Sequence, residues 1–250
     1  MALVLHGFRY SVYVRVARIA LAEKALAYEH VEIDPFAPDM PTEYLDLHPF
    51  RRVPALVDGD LVLYETGAIT RYIDEAFPGP MLQPTESRHR ARMVQIISII
   101  DSYGYVSMVR QVAGARVFAP LRKRQPDEAL IRRGLEGSLR VLDALEAIVP
   151  DDGPVAGGEV WSLADFHLAP MMVYFTTAPI ISLGSRRSLS HPTIGVTIAE
   201  IKKPKEKAPA MTPRSHPNSS RIGGSSRENA VRALTATAIE TNETPTMSQP

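Results

Sequence analysis

Cysteine is absent from all 250 residues, which excludes disulfides, a protein thiolate nucleophile and thiolate metal sites, and fits a reducing compartment. An excess of one charge is absent too. The 28 Lys and Arg balance 28 Asp and Glu, so nothing in bulk electrostatics draws the chain to nucleic acid or to an anionic membrane. No apolar run reaches the length of a spanning helix, and Met1 to Gly7 lacks the basic segment and apolar length of a secretory signal. The expectation is a cytoplasmic protein. The 7 histidines show neither metal-ligand spacing nor a neighbouring phosphate-cradling glycine loop, and no metal is expected. Aromatic residues are missing after Phe175. From Ile201 onward the chain is rich in Pro, Ser, Thr, Lys, Asn and Gly, without apolar periodicity, and could not bury enough surface to offset its ordering entropy. A disordered tail over 196–250 is expected, with Lys202 to Lys207 as a solvated linker.

What is present centres on Arg52 to Ile73. Ala55–Val57 and Leu61–Tyr64 flank Asp58-Gly59-Asp60, and Asp-Gly between apolar runs predicts a hairpin. Thr66 reads as the N-cap of a helix in which Ala68, Ile69, Tyr72 and Ile73 recur at helical spacing. Pro54 cannot donate a ladder hydrogen bond, so it belongs at an edge, a strand's first residue or a cis turn. Before this unit, Leu3–Phe8 predicts a buried strand. Ser11 opens a helix with Val12, Val16, Ile19 and Ala20 on one face, and Val14, Ala17 and Leu21 imply cover on a second side. Tyr28–Asp34 alternates as a strand, and Thr42–His48 predicts a short helix. The order is β-α-β, connector, β-β-α, with a right-handed crossover.

Pro78, Pro80 and Pro84 punctuate the chain and place a boundary near residue 80. Beyond it, Arg90–Val112 predicts a helix apolar on nearly every side. Asp127–Val149 predicts another, with Ile131, Leu135, Leu139, Leu142 and Leu145 on one stripe. Ser162 and Asp165 can satisfy one another's backbone donors at the start of a further helix, a folding nucleus rather than chemistry.

Ser11 with Val-Tyr-Val-Arg-Val-Ala-Arg-Ile-Ala-Leu21, Val53-Pro54-Ala-Leu, Leu63-Tyr-Glu65-Thr66-Gly-Ala-Ile and Ser162-Leu-Ala-Asp165, in that order, resemble the soluble glutathione S-transferases over about Met1 to Pro179. The resemblance implies a thioredoxin-like α/β domain over 1–80 that binds glutathione, an all-α helical bundle over 85–195 that shapes an electrophile pocket, and a homodimer. It also implies a cis Pro54 and a Val53 that pairs its backbone with the cysteinyl part of glutathione like an added strand. Thr66 then takes the γ-glutamyl carboxylate through its hydroxyl and helix-terminal amide, while Glu65 faces the ammonium. Arg52 meets the glycyl carboxylate, with Arg51 a weaker candidate. Tyr103, Tyr105 and Met108 are candidates for the electrophile pocket, with plain packing as the alternative. Asp101 resembles an acidic residue that in some members reaches the partner's glutathione.

The implied chemistry is attack of the glutathione thiolate on a small apolar electrophile. Lowering a thiol from about 8.5 to roughly 6.5 requires about 2.7 kcal/mol of preference for the thiolate. A helix N-terminus contributes about 0.3–1 kcal/mol, rising to about 2 when partly buried, and one charge-assisted hydrogen bond about 1.5–3. The dipole alone falls short in the usual case. Ser11 is therefore the candidate catalytic hydroxyl, with Tyr10 and Tyr13 competing. Tyrosine-type subfamilies place their tyrosine at the end of the first strand, where Gly7 and Phe8 stand here. Cysteine-type subfamilies are excluded by composition. The family pattern fades after Pro179, where one or two more helices are usual, so a frameshifted or aberrant C-terminus is expected. Two other readings remain open at this point: a non-catalytic glutathione-binding or scaffold protein on the same fold, and an inactive truncated product.

Overall fold

The structure, a computed structural model, describes residues 3–150 and 153–178. The expected tail, the fading pattern after Pro179 and the end of the helical bundle lie outside the described residues. The first half runs β1 (Leu3–Gly7), α1 (Val12–Glu23), β2 (Tyr28–Glu32), α2 (Tyr44–Leu47), β3 (Ala55–Asp58), β4 (Leu61–Tyr64) and α3 (Thr66–Ala76). The sheet order is β2-β1-β3-β4. β1 pairs parallel with β2, Leu5 opposite His30, and antiparallel with β3, Leu5 opposite Leu56. The β3–β4 hairpin turns at Gly59, φ +62°, the left-handed conformation that glycine adopts without a Cβ clash. This is the β-α-β, β-β-α arrangement expected of a thioredoxin-like domain.

α1 is covered on two sides. Val12, Val14, Val16, Ala17, Ile19, Ala20 and Leu21 are all buried, with α3 and α7 packed against the helix. The start of α3 corrects the sequence reading by one residue. Glu65 is the N-cap and Thr66 the first helical residue; the carbonyl of Glu65 accepts from the N–H groups of Ala68 and Ile69, both at 3.0 Å.

The second half is helical. α4 (Ser87–Ile99) is capped by the Glu86 carboxylate, which accepts from the N–H groups of Arg88 and His89. It continues into a wider segment, Ile100–Phe118, with i→i+5 hydrogen bonds, then α5 (Ala119–Leu121). α6 (Glu128–Glu146) starts at Asp127 and α7 (Leu163–Thr177) at Ser162. The helix expected over Arg90–Val112 is thus longer at both ends, and it is not wrapped on every side, because Val94 and Tyr103 are exposed. α6 buries Ile131, Leu142 and Leu145 of its expected apolar stripe. Its buried face includes Gly134 and Ser138, while Leu135 and Leu139 are only partly buried. A Cβ on Gly134 would stand 2.8 Å from Gln111 Cβ and from Val112 Cγ2, so the helices approach where a side chain is missing. No helix among the described residues is long and apolar enough to cross a membrane.

Two buried polar anchors hold α7 and the linker. Asp165, fully enclosed at the head of α7, accepts from the N–H of Val155 at 2.9 Å, the N–H of Ser162 at 2.8 Å and the Ser162 hydroxyl at 2.9 Å. Burial pushes its carboxyl up and these bonds oppose the rise. At the end of α1, Lys24 Nζ meets Asp74 Oδ1 at 2.9 Å, with side-chain exposures of 2% and 7%, and donates to the carbonyls of Asp74 and Phe77. The same carboxylate takes the N–H of Leu82, whose carbonyl accepts from the N–H of Leu163. The linker between the layers is thereby tied to α1, α3 and α7 together.

At the end of α2, His48 is buried among Tyr44, Phe50 and Tyr64, its ring 5.0 Å from that of Tyr64. Burial lowers its pKa below the usual 6.5; Glu65 opposes this and Arg52 adds to it. Burial likewise lowers His6.

Lys24→Met strands the buried Asp74 charge and is expected to cost about 3–5 kcal/mol, read as a fall in the urea midpoint. Pairing it with Asp74→Leu is expected to recover much of the loss. The lowered histidines set a pH dependence. As pH falls through 6.5 the unfolded chain takes up protons that the native His48 and His6 refuse, so stability drops. His48→Gln is expected to flatten that slope in urea titrations between about pH 7 and 5, and an unchanged slope would show that His48 titrates alike in both states.

Candidate functional site

The turn from β1 into α1 presents Ser11. Its N–H donates to the carbonyl of Phe8 at 2.8 Å and its own carbonyl accepts from Arg15 N–H at 3.1 Å. It is the N-cap residue of α1, with φ −68° and ψ 132°, yet its hydroxyl makes no capping bond. The first amides of α1 have no intrahelical acceptor by construction, and the helix presents its positive end there. A hydroxyl and a set of amide donors therefore share one corner.

The competing phenols are placed differently. Tyr10 packs edge-on against Phe8, 5.3 Å between centroids, and its carbonyl takes the Tyr174 hydroxyl at 2.6 Å. Tyr13, on the first turn of α1, lies against Tyr105, 4.9 Å between centroids. Burial holds its phenol well above the usual range, Asp101 and Tyr105 add to the rise, and Arg52 opposes it, with Glu65 a smaller contributor. Such a phenol stays protonated.

The other wall is the loop from His48 to Ala55. The Val53–Pro54 bond is cis, as the resemblance implied; Pro54 is buried and Val53 half-buried. Tyr44 Oη donates to the Arg52 carbonyl at 2.7 Å, pinning the backbone just before Val53. The Arg52 side chain is exposed. Arg51, φ +52°, instead sends its guanidinium to the Ala37 carbonyl at 3.2 Å. Glu65 is exposed and adopts φ +69°, ψ 117°, a region costly for a residue with a Cβ and one that collects at ligand sites. Immediately after it, the amides of Thr66 and Gly67 open α3 without intrahelical acceptors. A Cβ built on Gly67 meets nothing within 4 Å, so the space beside this helix end is open.

The electrophile candidates separate. Met108 is 1% exposed inside the main core; Tyr105 lies against Tyr13, and Tyr103 is 65% exposed. A cleft of ≈ 600 Å³ between Glu86, Arg88, Arg92, Val149 and Gly157 contains none of the candidate residues. Two histidines escaped the sequence reading. His48 packs against the Tyr64 ring, next to Glu65 in sequence. His167, wholly buried in α7, meets Asp101. Neither has motif spacing, and only tertiary packing encloses them.

Comparison with known proteins shows the family. The family model "Glutathione S-transferase, N-terminal domain" matches residues 5–81. Glutathione S-transferase F13 of Arabidopsis thaliana is 32% identical over 179 residues, 70% of this chain and 81% of that protein. The structure of glutathione S-transferase III in apo form aligns with TM-score 0.66 and 29% identity, covering 82% of this chain and 93% of that one. The theta-class enzyme from the citrus canker pathogen Xanthomonas axonopodis pv. citri, with glutathione bound, aligns with TM-score 0.63 and 27% identity over 76% and 89% of the two chains. With its sheet order, its cis proline and a relative matched over most of its length, this chain belongs to the glutathione S-transferase family.

Proposed function

We propose that the protein conjugates the thiolate of glutathione to small apolar electrophiles. The observation that carries this reading is the Ser11 hydroxyl, unused as a cap at the positive end of α1, in a chain with a cis Val53–Pro54 bond and a strained Glu65. Glutathione lies along the loop before β3 and exchanges backbone hydrogen bonds with Val53, whose neighbour Pro54 keeps the chain turned toward the ligand. The γ-glutamyl carboxylate sits on the first amides of α3 and the Thr66 hydroxyl, its ammonium faces Glu65, and the glycyl carboxylate faces Arg52. The thiol loses its proton to solvent. The resulting thiolate accepts the Ser11 hydroxyl and the field of α1. Its sulfur then forms a bond to the electrophilic carbon as that carbon expels its leaving group or passes its electron pair onward.

Two domains, 1–80 for glutathione and 85–195 for the electrophile, belong to this reading, as do a cytoplasmic setting and a homodimer. The exposed apolar groups Phe50, Tyr64, Val94, Tyr103 and Val106 support a second copy as cover for these faces.

Retention on glutathione resin followed by a conjugation assay tests the reading as a whole. Retention without conjugation of any of a panel of model electrophiles would identify a non-catalytic binder instead. Within an active protein, Ser11→Ala is expected to lower kcat about 10- to 100-fold, the worth of one charge-assisted hydrogen bond, while leaving glutathione affinity within a few-fold. Unchanged turnover in the folded variant would remove Ser11 from the mechanism. Thr66→Val is expected to do the reverse, weakening glutathione binding about tenfold at saturable kcat.

A further inference from the structure

Charge balance over the whole chain conceals an uneven distribution. Between Asp101 and Asp127 stand five cations, Arg110, Arg116, Arg122, Lys123 and Arg124, and no carboxylate. The last three are consecutive, follow α5 directly and are all exposed. Arg116 is paired with Glu128, whereas none of Arg122, Lys123 and Arg124 has an ion-pair partner among the described residues.

The turn that carries these cations is closed by its own backbone. Lys123 N–H donates to the Pro120 carbonyl and Arg124 N–H to the Ala119 carbonyl, both at 2.9 Å, a Schellman ending for α5. Its left-handed residue is Lys123, φ +56°, at a position where glycine fits without strain. A cation is favoured beside a helix C-terminus, but that field does not account for two large apolar side chains left in water next to it. Leu121 is 74% exposed, and Phe36, in the loop after β2, is 65% exposed. The Arg122 guanidinium lies 5.7 Å over the Phe36 ring, which brings the turn and the loop to one corner. Arg51 adds a fourth cation there, its guanidinium on the carbonyl of Ala37. Against these stand Asp34, whose carboxylate accepts from the Phe36 N–H, and the exposed Asp39 of the same loop.

Protruding apolar tips among unpaired cations match the boundary of an anionic bilayer, where headgroups meet the cations and the tips enter the acyl region. Nucleic acid would satisfy the cations but has no apolar phase to receive Leu121. We propose that the corner formed by Phe36, Leu121, Arg122, Lys123 and Arg124 docks the protein reversibly on membrane surfaces that carry anionic lipid. The attraction acts over about 8 Å at physiological salt, so a chain of zero net charge can bind through one corner. The docking is independent of the glutathione reading of the site.

Co-sedimentation of the full chain with two kinds of vesicle tests this, phosphatidylcholine alone and phosphatidylcholine with phosphatidylglycerol in equal parts. Binding to the mixed vesicles, little to the neutral ones, and a fall with added salt are expected. Lys123→Gln combined with Arg124→Gln should lower the partition coefficient about 25-fold, roughly fivefold for each cation removed. Leu121→Ser should lower it about tenfold while leaving its salt dependence unchanged, and Phe36→Ser repeats that measurement from the other loop if the Leu121 variant does not fold. Equal binding to both vesicles, binding to neither, or wild-type partition in the folded variants would each overturn the proposal. Capture of the wild type by polyglutamate or duplex DNA, without binding to the mixed vesicles, would overturn it in favour of a soluble polyanion.

Discussion

α1 is apolar on both sides because it is packed on both sides, with the sheet and α3 against one and α7 against the other. This double burial is what the remainder of the structure depends on. It brings a helix of the second half against the element that carries Ser11. The contact is specific as well as apolar: the Arg15 guanidinium lies 5.0 Å over the Tyr174 ring, and the Tyr174 hydroxyl closes on the Tyr10 carbonyl one residue before Ser11. A cation over an aromatic face is worth about 0.5–2 kcal/mol, more when desolvated, and Arg15 is only 5% exposed. The β1–α1 turn is therefore held from behind by α7.

The opposite wall is held in the same way. Tyr44 pins the Arg52 carbonyl from α2, and the buried His48 ring, its pKa lowered by burial, packs between Tyr44, Phe50 and Tyr64. Glu65 carries a backbone conformation that costs of order 1–3 kcal/mol. It persists because β4 ends one residue before it and α3 begins one residue after. Strain, helix amides without intrahelical acceptors and an exposed carboxylate coincide at that one position.

The hairpin, the β1–α1 unit, the Ser162–Asp165 helix start and the proline-marked linker were legible because each rests on chemistry within a few residues. Asp58-Gly59 makes a turn wherever it stands between apolar runs, and Asp165 reaches the amide three residues back in any helix. The site was legible only as far as the motifs that carry the resemblance. Its weakest points were those set at longer range. Thr66 was placed as the cap, yet the extended run of β4 leaves the non-helical conformation to Glu65. Met108 could be read from sequence as either pocket lining or plain packing, and only its burial in the core decides between them.

Local pattern by itself determined the order of elements, the absence of disulfide and thiolate chemistry, the position of Ser11 at a helix start and the family. It did so because period, turn type and capping are short-range properties of the chain. Tertiary structure alone decided that α6 buries Gly134 and Ser138 alongside Leu142 and Leu145, that Lys24 and Asp74 are sealed together, and that Asp101 meets His167. Such pairs join residues 50 and 66 positions apart. Their energy comes from desolvation that no local window of sequence can register.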